Sequence, residues 1–177
     1  MTWEWINAPW LRYIFSSYAA QLSTRDSLKC RMVIASNFYQ NHYGTEFSIL
    51  RHQDEKTRFM NDKLGLRLAT PVGGLGTGEG GDRLVVDDPH NVLETESDVQ
   101  RKEVLRWWTE TMSTRYNDPE KGAAVIVMQR IHHNDLAGLV LEQGGWEHLL
   151  LPMEFEEGCG KTTSLGSAAK APLALVT

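Results

Sequence analysis

Cysteine is scarce in this sequence, and long apolar runs are missing from it. The two cysteines, Cys30 and Cys159, lie far apart among 177 residues and form no CxxC pair. This usage favours a reducing compartment and argues against a zinc knuckle. No apolar run approaches the roughly 20 residues that cross a membrane, and no basic region typical of a secretion signal follows Met1. The sequence therefore predicts a cytosolic protein without a membrane segment.

An excess of basic residues is also absent, since the formal net charge is -5 and hydrophobic residues make up 41%. A chain of this length and apolar content buries a sizeable core, so we expect one folded domain. The acidic balance argues against a surface that binds nucleic acid throughout, although it leaves room for a local basic groove. No Gly-x-Ser-x-Gly motif occurs, so nucleophilic catalysis has no support.

The most informative pattern is a short apolar run that ends in two carboxylates. Residues 84–86 are Leu-Val-Val, with glycines before them and Pro89 close behind, which predicts a buried strand followed by Asp87 and Asp88. Ligands of α/β proteins bind at the carboxyl edge of the sheet. One acid there can hold Mg²⁺ and the next can orient an attacking water, which is the logic of a Walker B element. Alone the pattern is weak, because ordinary strand exits also carry acids.

Strands and helices alternate along the rest of the chain. Strands are predicted at 12–18, 123–128 and 146–155, and shorter ones at 47–50, 57–61 and 66–70 are expected to form a small antiparallel addition. This alternation predicts an α/β fold with a mostly parallel, helix-covered sheet. Ile14, Val85 and Ile126 are expected on neighbouring strands, with Asp87 and Gln129 at the same edge.

Two capping boxes predict where helices begin. Ser23 with Asp26 and Thr95 with Asp98 match the spacing, and a shorter helix is expected at 136–142. The apolar faces that follow the two boxes are expected to pack on the sheet: Leu28, Met32, Ala35 and Tyr39 in the first helix, and Val104, Leu105, Trp108 and Met112 in the second.

A glycine-rich loop before the Asp-Asp strand contains six of the 15 glycines, between positions 73 and 81. Glycine lets a backbone approach a phosphate closely, so Gly78, Gly80 and Gly81 are candidate cofactor-binding residues. The loop lacks the Gly-Lys-Ser/Thr ending of a phosphate-binding loop. Such an ending occurs at 160–162, around Lys161, but the first glycine of that motif would fall on Phe155 and no helix is predicted after it.

Polar residues also follow the strand predicted at 123–128, where Gln-Arg-Ile-His-His-Asn-Asp occupies 129–135. The spacing of His132, His133 and Asp135 is unlike a helical zinc-binding pair, so we interpret the histidines as polar residues at a strand exit.

Several blocks, in the same order, resemble the large subunit of tailed-phage terminases. The resemblance covers residues 5–157 and rests on Tyr-Ala at 18–19, Leu-Ser-Thr-Arg-Asp-Ser at 22–27, Lys-Cys-Arg at 29–31, Lys-Thr-Arg-Phe at 56–59, Thr-Gly-Glu-Gly-Gly-Asp-Arg at 77–83, Asp-Asp-Pro-His-Asn at 87–91, Met-Ser-Thr-Arg at 112–115, Gln-Arg-Ile-His at 129–132, Gly-Gly-Trp-Glu-His-Leu at 144–149 and Leu-Pro-Met-Glu-Phe at 151–155. Its specificity comes from the number of blocks that agree in order.

This resemblance implies the ATPase part of a DNA-packaging motor, with a RecA-like P-loop fold that uses ATP and Mg²⁺. It implies Asp87 as the magnesium ligand and Asp88 at the catalytic acid position, where the family usually has glutamate. It implies that Gln129 and Arg130 belong to the segment that couples phosphate state to DNA movement. The expected partners are double-stranded DNA, the portal protein and the terminase small subunit, with a homo-oligomeric ring in the host cytoplasm.

The sequence also departs from the family pattern. The Walker A strand, loop and helix of the family lie before the first strand seen here, and the nuclease domain is not found. Residues 1–157 are therefore expected to be a partial ATPase domain that is inactive alone, and 158–177 an irregular tail that matches the family poorly. Arg67, Arg83 and Arg130 are candidates for the trans-acting arginine, because each lies near a strand exit.

Two other classes of function stay open. The chain could be a non-catalytic remnant or interaction module that keeps the fold without a nucleotide site. It could also be a metal-dependent hydrolase that uses Asp87, Asp88, His90 and His132, because carboxylates and histidines clustered at strand ends suit two metals. Further acids at other strand exits, which such an enzyme would need, are not evident in the sequence.

Overall fold

Eight strands form one sheet in the computed structural model, which describes residues 1–74, 78–94, 96–149 and 173–176. Their order in space is β2-β3-β4-β1-β5-β6-β8-β7. Neighbours from β4 to β7 pair in parallel, and β3 pairs antiparallel with both β2 and β4. The predicted α/β class, the mostly parallel sheet and the small antiparallel addition are thus confirmed. The strands are β1 (Arg12–Ser17), β2 (Ile49–Asp54), β3 (Arg58–Asn61), β4 (Leu66–Pro71), β5 (Arg83–Asp87), β6 (Ala123–Val127), β7 (Glu147–Leu149) and β8 (Leu173–Val176).

The described ranges also contain five α-helices and a short 3₁₀ helix, Met112–Thr114. None of these helices is both long enough and apolar enough to cross a membrane. The α-helices are α1 (Glu4–Asn7), α2 (Ala20–Ala35), α3 (Asn37–Tyr43), α4 (Asp98–Glu110) and α5 (Leu136–Gln143).

Two hydrophobic cores lie on opposite faces of the sheet, because successive side chains of a strand point to opposite sides. On β5, Leu84 and Val86 join the core under α4 and α5, whereas Val85 packs with the core of the α1–α3 side. The predicted apolar face of α4 is confirmed, since Trp108 and Met112 are buried in the first core. The second core is mainly aromatic and centres on Trp5, which meets Phe47 and Phe59 edge-on.

The order of the central strands confirms two further predictions. Ile14, Val85 and Ile126 lie on the adjacent strands β1, β5 and β6. In the register, Asp87 stands opposite Val127, so Asp87 and the following Gln129 are at the same edge of the sheet. The connection from β6 through α5 to β7 passes over one strand position, which β8 fills.

The predicted start of the first long helix is wrong. α2 begins at Ala20, and its N-cap, Ala19, makes no side-chain capping bond. Ser23 and Asp26 therefore lie inside the helix, and the Ser23 hydroxyl donates to the carbonyl oxygen of Ala20. The helix begins early because β1 ends at Ser17, leaving only a short turn before it. In the second predicted box, Ser97 is the cap of α4, accepting from the amide of Gln100, and Thr95 lies outside the described residues.

The predicted apolar face of α2 is also wrong. Met32 is 71% exposed and Leu28 37% exposed, whereas the buried positions of the helix include Ser23 and Ser27. Small residues allow α2 to pack closely over β4 and β1. Its apolar side is left facing solvent, where Leu28 and Met32 border a groove that Phe47 and Ile49 also line. On the same face of the sheet, Val85 of β5 is half-buried and Val127 of β6 is exposed.

Candidate functional site

The carboxyl edge of the sheet brings together the exits of β1, β5 and β6. The amide of Asp88 donates to the carbonyl oxygen of Val127 at 2.8 Å, and the Asp88 carbonyl oxygen accepts from the amide of Tyr18 at 3.1 Å. Backbone hydrogen bonds thus hold Asp88, the first residue after β5, between the neighbouring strands. This is the position at which open α/β sheets bind ligands.

Asp88 has a left-handed backbone conformation, with φ of 43°. Residues other than glycine rarely adopt it, and aspartate is among the few that tolerate it. The turn that separates the two acids therefore occurs at Asp88 itself, before Pro89. Asp87 continues the strand and is half-buried, whereas the side chain of Asp88 is exposed. Their different environments allow the two carboxylates to serve different tasks.

Asp87 lies in a negative electrostatic environment. Burial raises its pKa, and the carboxylates of Asp88 and Asp26 raise it further, against a smaller opposing effect of Arg25. Arg25 and Asp26 belong to the first turns of α2, so Asp87 faces the α2 side of the sheet. A divalent cation stabilises carboxylates whose negative charge is not balanced by nearby positive groups.

The exit of β6 is organised by Asp135, which is fully buried and caps α5. One of its carboxylate oxygens accepts from the amide of Gly138 at 2.8 Å. The other accepts from Arg130 Nε at 3.2 Å and from the amides of Ile131 and His132 at 3.3 and 3.4 Å. Gln129 is exposed beside this network. Arg130 is thereby held at the same edge as Asp87, in an accessible position.

His90 connects the two strand exits. It is 4% exposed, and its Nε2 accepts a hydrogen bond of 3.0 Å from the amide of Leu136, the first residue of α5. The first amides of a helix lack partners within it, so this bond satisfies a donor that would otherwise be orphaned. Burial lowers the pKa of His90, as does Arg101, while Asp135 opposes them. The neutral ring is the form that accepts the bond.

The histidines after β6 are engaged with each other and with the backbone. The rings of His132 and His133 stack at 4.3 Å, and Nδ1 of His132 accepts from the amide of Asn134. Within the described ranges, no group of three or more histidine, cysteine, aspartate or glutamate side chains is arranged to hold a metal ion. His90 and His132 are thus not assembled with Asp87 and Asp88 into a two-metal centre.

The structure does not bring the three candidate glycines together with the acids. Gly78, Gly80 and Gly81 precede β5 at the amino edge of the sheet, and the length of the strand separates them from Asp87. A side chain at Gly80 would collide with Asn117, and one at Gly81 would lie 3.1 Å from Ile14. These two glycines serve close packing of loops. Their placement there follows from the direction of β5, which runs from this edge to Asp87 at the opposite edge.

Two of the three candidate arginines are also placed away from an accessible site. Arg67 is 1% exposed and its guanidinium lies 4.2 Å from the ring centre of Phe15. Arg83 is at the amino edge, in an ion pair of 2.7 Å with Glu4. Neither lies at the carboxyl edge beside Asp87. Arg130 is the one of the three that is both exposed and at that edge.

Sequence reasoning missed the roles of His90 and Asp135. Asp135 carried a usable signal, since an aspartate directly before the apolar residues of 136–140 is a typical N-cap. His90 carried none, because its partner is 46 positions away and the contact depends on how α5 sits against the β5 exit.

Comparisons with known proteins do not add a family assignment. No family model matches the chain, and no curated protein matches it.

Proposed function

We propose that this chain is the Walker B-containing part of the ATPase of a tailed-phage terminase large subunit, with a RecA-like fold. The observation that carries the proposal is the juxtaposition of Asp87 and Asp88 with Gln129 and Arg130 at one edge of a parallel sheet. The proposal takes the family from the ordered blocks of sequence resemblance, and the geometry of this edge supports it. The parent protein would couple ATP hydrolysis to movement of double-stranded DNA into a procapsid, as a ring that works with the portal protein and the small subunit.

The residues at this edge fit a magnesium ion. Mg²⁺ is typically held by one or two carboxylates together with waters and substrate phosphates, so a cage of three protein ligands is not required. Asp87 offers a half-buried carboxylate at the strand end, where burial and the nearby carboxylates of Asp88 and Asp26 raise its pKa. When bound, magnesium neutralises charge on the phosphate oxygens during transfer.

Each residue then has a distinct role in the proposal. Asp87 holds the cation, and Asp88 orients water from its exposed position after the turn. Aspartate is one methylene shorter than glutamate, so the backbone conformation of Asp88 decides whether its carboxylate reaches that water. Arg130, fixed by Asp135, supplies positive charge from the neighbouring strand exit, and Gln129 lies at its side.

The open side of the sheet also supports the proposal. Parallel sheets are normally covered on both faces, yet Val127 of β6 is 37% exposed. A phosphate-binding helix packed along β5 and β6 would cover this residue. It would also place its N-terminus near Asp87, where backbone amides can hold phosphate.

Magnesium binding by the chain itself tests the proposal. We expect MgCl₂ at millimolar concentrations to raise the melting temperature, because a ligand that binds only the folded state stabilises it by mass action. Replacing Asp87→Asn should abolish this rise. A matched control is Glu120→Gln, which removes an exposed carboxylate near the opposite edge and should leave the rise unchanged.

The outcomes are distinct. A rise that persists in the Asp87→Asn protein would assign the cation to another place and remove the main support for a nucleotide site. Isothermal titration with MgCl₂ gives the same comparison as an affinity, which separates weak specific binding from a general effect of salt.

An interaction module without a nucleotide site is the second candidate. The exposed apolar side of α2, with Leu28 and Met32, favours it, because such a surface is typical of contact with another protein segment. Absence of any magnesium effect, with Asp87→Asn and the unchanged chain behaving alike, would favour this candidate over the ATPase fragment.

A further inference from the structure

We propose that His90 is a positioning residue that transmits the state of the Asp87 site to the Arg130 segment through the first turn of α5. The inference rests on the proposed function, because it assigns a metal site to Asp87. Its structural part, the link between His90 and α5, stands on the hydrogen bonds alone.

The link consists of a short stretch of chain and two hydrogen bonds. Asp87 and His90 belong to the same short exit of β5, three residues apart. His90 Nε2 accepts from the amide of Leu136 at 3.0 Å in the interior of the protein. The neighbouring Asp135, which is fully buried, accepts from Arg130 Nε at 3.2 Å. A shift of the β5 exit is therefore passed to the start of α5 and to the arginine.

The protonation state of His90 decides whether the link forms. A buried amide without an acceptor is unfavourable, so the Leu136 amide stays bound to the ring as long as Nε2 carries no proton. The charged groups that face His90 are Asp135, from the start of α5, and Arg101, from α4. Burial lowers the pKa of His90, and Arg101 lowers it further against the opposing effect of Asp135, so the accepting form is maintained at neutral pH.

The proposed link agrees with the backbone conformation and burial of residues 88–90 at the exit of β5. Asp88 adopts a left-handed conformation, and Pro89 and His90 after it are buried. Strained residues persist where the surrounding structure fixes them, and they cluster at switch regions. The turn at Asp88 is followed two residues later by His90, whose ring meets the first amide of α5.

Hydrogen–deuterium exchange of the whole chain tests the inference with two variants. His90→Gln keeps a side-chain acceptor without a titratable ring, and His90→Ala removes the acceptor. Without metal, we expect exchange across 130–136 to accelerate at least tenfold in His90→Ala and to change less than threefold in His90→Gln. Circular dichroism checks that both variants are folded. If His90→Ala does not fold, His90→Phe, which keeps a ring but has no acceptor, replaces it, and the same acceleration is expected.

The second arm adds MgCl₂. In the unchanged chain, magnesium should slow exchange both at 86–90 and at 130–136. In His90→Ala it should slow exchange only at 86–90, with an affinity within about twofold of the original. Equal slowing of both segments in His90→Ala would overturn the transmission, and an unaltered metal-free exchange at 130–136 would overturn the link itself. Failure of the unchanged chain to bind magnesium would contradict the proposed function, while the metal-free arm still decides the link.

Discussion

At the scale of the residue, Asp87 and Asp88 owe their separate environments to the backbone conformation of Asp88. Period-2 alternation alone predicts opposite directions for neighbouring side chains. The left-handed conformation at Asp88 adds a turn before Pro89, which this alternation does not contain. Sequence patterns report which residues follow a strand, but a single φ angle of a non-glycine residue leaves no mark in them.

We expect Asp88→Gly to stabilise the fold by about 0.5 kcal/mol. Glycine adopts the left-handed region without strain, which stabilises the folded state. Glycine also makes the unfolded chain more flexible, and this opposing effect is expected to be the smaller one. Asp88→Val should destabilise it by about 1–2 kcal/mol, because a β-branched residue is poorly tolerated there. Urea denaturation measures both changes.

Leu64→Gly is the matched control for this prediction, because Leu64 also has a positive φ, of 68°, and is far from the site in the β3–β4 turn. It should stabilise by a similar amount or more. Loss of stability in Asp88→Gly alone would show that the Asp88 carboxylate makes a stabilising contact that outweighs the strain.

At the scale of the element, the strands were predicted better than the helix contacts. A run such as Ala-Ala-Val-Ile-Val at 123–127 identifies a buried parallel strand from composition alone. The face that α2 presents to the sheet could not be identified in this way, because its close contact is made by serines over β4 while Met32 faces solvent. The prediction assumed that apolar side chains mark the contact face, and here the closeness of packing decided it.

The candidate site was also predictable only in part. The placement of Asp87 and Gln129 at one edge follows from parallel strands with polar exits, so it was predictable. The separation of Gly80 from that edge follows from the path of the loop into β5, which a list of motifs does not record. Long-range side-chain contacts such as that of His90 need the packed structure.

The N-terminus of α5 should depend strongly on Asp135. We expect Asp135→Ala to lower the free energy of unfolding by about 2–3 kcal/mol, since it removes a helix cap and leaves the buried amides of the β6 exit without an acceptor. Asp135→Asn keeps an acceptor for Gly138 and should lose less. Chemical denaturation measures both.

Ser97→Ala provides the comparison, because Ser97 caps α4 at the surface with a longer bond of 3.5 Å. It should lower the free energy by no more than about 1 kcal/mol. Equal losses for Asp135→Ala and Ser97→Ala would mean that Asp135 acts only as a cap and does not organise the Arg130 segment.

At the scale of the whole molecule, the described part of the carboxyl edge has Asp87 and Asp88 for a cation and Arg130 as a positive charge, without a lysine-bearing phosphate loop. Lysine and backbone amides of a phosphate-binding loop normally stabilise the transferred phosphoryl group. We therefore expect this chain alone to bind ATP weakly, in a magnesium-dependent manner, and to show no measurable turnover. Calorimetry and a phosphate-release assay measure the two properties.

The Gly-Lys-Thr sequence around Lys161, outside the described residues, gives this prediction its clearest challenge. Lys161→Ala should leave the weak ATP affinity unchanged. Sub-micromolar binding that disappears in Lys161→Ala would show that the chain carries its own phosphate site.

The position of β8 has a consequence for the order in which the molecule assembles. β7 pairs with β8 and is separated by it from β6, although β8 follows β7 in the chain. Ala124 of β6 pairs with Leu173, so this contact spans a long loop of sequence, and such contacts form slowly. During synthesis the strands β4, β1, β5 and β6 can pair first, leaving the edge of β6 unpaired until β8 arrives. That open edge is a place where another extended chain could pair, so misassembly of a nascent molecule is expected to begin at β6.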